Sequence, residues 1–127
     1  MENNLKVGQS VLFVGEKVPY KVMAVSNRYA VVSRRLSRKY DADLIKYQVE
    51  MGGYFDFNQA YKSLKYSPIY SILDFDMGIR SSDDLVFGIF DYKDIKHCQK
   101  AINYLEEGLM GLSRRNQVSI EIDTIKE

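Results

Sequence analysis

The chain of 127 residues has one cysteine, one histidine and no tryptophan. A lone cysteine excludes an internal disulfide, and a lone histidine excludes any metal site that needs two imidazoles. With two prolines and eight glycines, collagen-like and proline-rich classes are excluded as well. The longest unbroken apolar run is a few residues, far short of a helical membrane span. The opening MENNLKVGQS lacks the apolar core of a secretion signal. These absences predict a soluble, cytoplasmic protein with no membrane partner. A strong charge of one sign is also missing: the net charge is +1, short of the basic balance of a dedicated nucleic-acid binder.

Apolar residues make up 46% of the chain and charged residues 28%, an ordinary globular balance at a length that suits one domain. The small net charge hides an uneven distribution. Residues 1–40 carry eight Lys or Arg against two Glu, a net +6, whereas residues 41–127 carry ten basic and fifteen acidic side chains, a net −5. Such a split marks either an anion-binding half or two halves that attract each other.

The residue pattern predicts a single α+β domain, with a basic β-rich half over 1–40 and an acidic α+β half over 41–127. Val11–Val14, Tyr20–Val25 and Tyr29–Ser33 read as three antiparallel strands, a meander of SH3-like character, with a Ser26-Asn27-Arg28 turn closing the hairpin. Both long strands are apolar on successive residues, so both of their faces should be covered. Residues 41–50 fit a strand or a short helix, and the reading leans to a strand entered through the basic loop Arg34–Lys39. Asp56 with Gln59 is a capping-box pattern opening a helix over 56–65, with Phe57, Ala60, Tyr61 and Leu64 facing inward and Pro68 stopping it. Ile69–Phe75 and Leu85–Phe90 read as neighbouring antiparallel strands. A second helix over 92–107 is capped by Asp91, carries Asp94 in its first turn and ends at Gly108. It should bury Ile95, Cys98, Ala101, Ile102 and Leu105 and expose His97. Val118–Ile125 alternates and reads as one half-buried final strand.

Catalytic chemistry finds little to use. Adjacent His97 and Cys98 point about 100° apart on a helix and cannot pair, and Cys98 lies on the apolar stripe. No Gly-x-Ser-x-Gly elbow, phosphate loop or dinucleotide turn occurs. Asp74, Asp76, Asp83 and Asp84 converge at a loop, where carboxylates hold Mg²⁺ or, more commonly, bond to backbone amides. The expectation is therefore a non-enzyme without metal or cofactor, and a Mg²⁺-dependent nuclease is the distant alternative. Arg34, Arg35, Arg38 and Lys39, with Tyr29, Tyr40 and Tyr47 nearby, form the main candidate for contacting nucleic acid or an acidic protein. Arg80 is either an anion ligand or a loop-ordering partner of Asp76 or Asp83. Arg114 and Arg115, in Ser113-Arg114-Arg115-Asn116, suit an anion-recognition turn.

Tyr70-Ser71-Ile72-Leu73-Asp74, then Gly78-Ile79-Arg80, then Phe87-Gly88 and Ser113-Arg114-Arg115-Asn116, together with Val22–Ala30, give the chain a wider likeness. It resembles small uncharacterised proteins encoded by bacteriophages and other mobile elements, with Ser81 standing where those proteins usually have Gly. That resemblance implies an accessory gene product. Its expected partner is a host or phage protein, bound by a counter-defence inhibitor of the anti-CRISPR kind. The alternative is nucleic acid, bound by the 34–39 patch.

Overall fold

The expected β-meander opens the chain in the computed structural model, which describes residues 3–81, 94–109, 111–112 and 117–127. Strands β1 (Ser10–Phe13), β2 (Tyr20–Val25) and β3 (Tyr29–Arg35) pair antiparallel in succession. Ser26 closes the hairpin, its N–H donating to the Tyr29 carbonyl at 2.8 Å while its hydroxyl accepts the Tyr29 N–H at 3.1 Å. Strand β4 (Pro68–Asp74) runs along the whole of β3, and Pro68 is tolerated as its first residue. The Asp74 carboxylate accepts the Asp76 and Met77 N–H groups, and Gly78 adopts a positive φ of 66°. The turn delivers β5 (Ile79–Ser81), antiparallel to β4. The strand expected over Leu85–Phe90 lies outside the described residues.

The final stretch departs from expectation in a way that shapes the molecule. It forms two strands, β6 (Gln117–Ser119) on β5 and β7 (Ile122–Lys126) on β1. These are the opposite edges of a seven-stranded sheet of order β6-β5-β4-β3-β2-β1-β7. Ser119 and Ile122 are three Cα steps apart, at most about 11 Å. The two edges must therefore approach that closely, and the sheet curls into a half-barrel. At the break, the Ile120 N–H donates to the Gly78 carbonyl at 3.0 Å and the Val14 N–H to the Glu121 carbonyl at 2.9 Å. Alternation alone could not show this break, because it stays in phase across it.

Curling separates two cores. The concave face collects Leu5, Val11, Phe13, Tyr20, Val22, Ala30, Val32, Leu73, Phe75 and Ile120. The convex face of β2–β4 presents Met23, Ala24, Tyr29, Val31 and Ile72 to a helix. A register shift between Val22 and Ala24 puts Met23 and Ala24 together on the convex side, as a β-bulge does. Both faces of the apolar stretches Val22–Ala24 and Tyr29–Val32 are covered, as their unbroken apolar runs predict.

That covering helix is α3 (Ile95–Glu106), which buries Cys98, Ala101, Ile102 and Leu105. Asp94 is itself the cap, its carboxylate accepting the His97 N–H at 3.2 Å, so the expected first-turn residue takes the capping place; Asp91 lies outside the described residues. Ile95 is 51% exposed, contrary to the burial expected of it, because α3 packs on the sheet through Cys98, Ala101, Ile102 and Leu105 and not through its first residue. His97 is half-buried rather than exposed, its Nδ1 lying 2.6 Å from Asp94 Oδ2. Gly108 ends the helix at φ 72°. Burial, reinforced by the Asp94 charge, pushes the Cys98 thiol up to about 12, an unreactive state.

The main correction concerns residues 41–50. They form helix α1 (Ala42–Glu50), not a strand. Ile45 and Val49, one turn apart, pack with Leu36 and with helix α2 (Phe57–Leu64), while Tyr47, which a strand would place on the same face as both, is 55% exposed on the other side of the helix. Helix α2 starts as expected, with Asp56 accepting the Gln59 N–H at 2.9 Å and the Gln59 side chain accepting the Phe55 N–H at 2.5 Å. The α1–α2 pair closes the end of the sheet where β3 meets β4. No helix among the described residues is long and apolar enough to cross a membrane.

Truncation should separate the two ends of the α3 stripe. Ile102→Ala is expected to lose about 2–5 kcal/mol in urea unfolding, the range for emptying a packed aliphatic site. Ile95→Ala is expected to change stability by less than about 0.5 kcal/mol. Cys98 should resist a thiol reagent until the protein unfolds.

Candidate binding cleft

Beyond the cover of α3, the convex face of β2 and β3 forms the floor of an open cleft of about 900 Å³. Strand register builds that floor. Ser10 lies opposite Lys21, Lys21 opposite Ser33, and Ser33 opposite Tyr70, so one row of polar residues crosses four strands. Arg35 shares the Ser33 side of β3, two residues further on. Loop residues Leu36–Lys39, Tyr61 of α2, Ile95 of α3 and Val18-Pro19 complete the walls. Lys21, Arg34, Arg35, Arg38 and Lys39 line the cleft, and its described lining contains no Asp or Glu.

These cations are not equivalent. Arg34 points to the concave side, its guanidinium 5.3 Å from the centre of the Tyr20 ring, and it donates to both Asp41 carboxylate oxygens at 2.7 and 2.8 Å. Asp41 also accepts the Ser37 N–H at 2.6 Å. With side chains 12% and 11% exposed, this pair is a structural clamp that folds the 34–41 loop back onto α1, not a free anion ligand. Arg38 lies over the Phe57 and Tyr61 rings, 5.2 Å from each, and hydrogen-bonds Asn58. Lys39 sits 5.2 Å from the Tyr40 ring centre. Lys21, Arg35, Arg38 and Lys39 are exposed and enter no ion pair among the described residues.

Other expected site residues lie elsewhere. Tyr29 is core, with Arg28 5.0 Å above its ring. Tyr40 and Tyr47 line up with Leu44 and Met51 as an exposed stripe on the outer side of α1, away from the Ile45–Val49 side. Arg80 faces inward at the closing edge of the sheet, 3.9 Å from the Phe13 ring centre and paired with Glu16 rather than with Asp76 or Asp83. Asp74 is buried, bound by Arg28 at 3.0 Å through both oxygens, and Asp76 lies 3.5 Å from the same guanidinium. Arg28 thus occupies the place a cation would take, and no group of three His, Cys, Asp or Glu among the described residues could hold a metal. Asp83, Asp84, Arg114 and Arg115 lie outside the described residues.

Two floor residues escaped sequence reasoning, Lys21 and Ser33. The hairpin register that sets them side by side was their only signal. Ser33 is 1% exposed and its hydroxyl has no hydrogen-bond partner among the described residues.

Compared with protein-family models, curated proteins and solved structures, the chain matches none.

The clamp has a pH signature. Burial raises the Asp41 pKa, but the Arg34 and Ser37 hydrogen bonds and the Arg34 charge outweigh it and leave it below its ordinary 3.8. A carboxyl depressed by folding contributes stability above its unfolded value and loses it as pH falls through the folded one. Asp41→Asn is therefore expected to cost on the order of 3 kcal/mol at neutral pH, the scale for stripping a buried cation of its partner. In urea melts across a pH series, the gap to the parent should narrow below pH 3.8.

Proposed function

We propose that the chain is a non-catalytic binding module that receives an acidic protein surface in this cleft. The observation that carries the reading is the set of exposed cations Lys21, Arg35, Arg38 and Lys39 around a concavity whose described lining has no carboxylate. Like charges gathered without counter-charges repel one another, and a partner of opposite sign relieves that repulsion. The described lining also offers no carboxylate, imidazole or thiol to move a proton, which favours the non-catalytic reading.

Protein is favoured over nucleic acid because single strands bind through free aromatic faces. The two tyrosines in the cleft, Tyr20 and Tyr61, already carry Arg34 and Arg38 on their rings. The exposed stripe of Tyr40, Leu44, Tyr47 and Met51 begins next to Lys39 and has the tyrosine- and methionine-rich character of protein interfaces. In the genetic setting that the resemblance implies, such a module acts by occluding a surface of its target.

The test compares hexaglutamate with hexauridylate by titration at low and physiological salt. Hexaglutamate is expected to bind more tightly and to weaken as salt screens the cleft. Arg35→Glu with Arg38→Glu should reduce binding by about tenfold or more while the circular dichroism is retained. Arg35→Glu alone, at a side chain with no packing role, guards against loss of the Arg38 stacking. Tighter binding of hexauridylate would transfer the reading to nucleic acid.

A further inference from the structure

We infer that the cleft floor contains a seat for one carboxylate of the bound partner, built on the Ser33 hydroxyl with Lys21 and Arg35; this rests on the reading above. Alternation along β3 places Val31, Ser33 and Arg35 on the convex side, and Val31 packs under α3 on that side. The Ser33 side chain is therefore aimed into the cleft it lines. Its Oγ is buried and has no hydrogen-bond partner among the described residues, an arrangement that leaves its desolvation uncompensated when nothing fills it.

The neighbours suit an oxoanion. Lys21 is directly across the ladder, where opposed side chains start about 5 Å apart, and Arg35 flanks Ser33 along the strand. An ammonium, a guanidinium and a hydroxyl donor thus surround one point, and a carboxylate entering there satisfies all three. The seat opens when the long Lys21 and Arg35 side chains, both exposed, swing outward to admit it.

A ligand role and a structural role for Ser33 predict opposite stability effects. Removing a hydroxyl that bonds to nothing leaves the free protein as stable as before or more so. Ser33→Ala is therefore expected to keep or raise the melting temperature while weakening hexaglutamate binding about tenfold, the scale of one hydrogen bond to a charged group. Lys21→Met should weaken binding similarly, and combining the two should cost less than the product of the separate losses, since both act on one group. A destabilised Ser33→Ala protein, or one that binds as the parent does, overturns the seat. If Arg35→Glu weakens binding and Ser33→Ala does not, the seat falls and the acidic-partner reading stands. If the parent does not bind hexaglutamate at all, the reading itself falls. Displacement of hexaglutamate by inorganic phosphate, where chloride at equal ionic strength fails, would reassign the seat from carboxylate to phosphate.

Discussion

The structure depends on one short segment that belongs to both edges of the sheet. Gln117–Ser119 completes one side and Ile122–Lys126 the other, with only Ile120 and Glu121 between them. Without that segment β5 and β1 would be the exposed edges, able to pair with other chains. Sharing one segment between them covers both and encloses the concave core, with Ile120 packed inside it. Arg80 and Glu16 span the same gap, and the Arg80 guanidinium covers Phe13 where the curl is incomplete. Closure also fixes the curvature that leaves the convex face wider than a single helix can cover.

The cleft is a consequence of that geometry. Helix α3 covers the part of the convex face around Met23, Ala24, Tyr29 and Val31, and the α1–α2 pair closes the β3–β4 end. Between them lies uncovered sheet, and the residues there are Ser10, Lys21, Ser33 and Arg35 instead of more valines. The Arg34–Asp41 clamp turns the following loop so that Arg38 and Lys39 reach the same opening. One cation of the basic run is thus spent on shape, and the others inherit their positions from it.

Legibility in the sequence followed the range of the interactions. The meander, the Asp56 cap and the buried middle of α3 rest on contacts within a few residues, and all were readable from spacing. The α1 segment was misread because Leu44 and Ile45 are adjacent apolar residues that fit either period. Its helical state is decided by Ile45 and Val49 meeting Leu36 and α2, contacts that spacing does not encode. The divided final strand was invisible for a similar reason, since its break depends on which edge each half meets. Among the site residues, Arg35, Arg38 and Lys39 were readable as a charge run. The clamp role of Arg34 required knowing that Asp41 folds back onto it, and Ser33 gained meaning only from its neighbour across the ladder.

The cleft and the adjoining outer side of α1 bring several uncompensated groups together. A hydroxyl without a partner, cations without counter-charges and an apolar stripe on the outer side of α1 each raise the free energy of the isolated chain. Three arginines are paired locally, Arg28 with Asp74, Arg34 with Asp41 and Arg80 with Glu16, although a buried nitrogen of Arg34 and one of Arg80 also find no hydrogen-bond partner among the described residues. The chain can therefore pair its arginines where structure requires it. Beside the cleft it leaves them unpaired, and the convex face there stays polar where valine or leucine would pack a further helix. The cleft thus brings an unpartnered hydroxyl and exposed cations of the described chain into one concavity, the arrangement on which the proposed acidic partner rests.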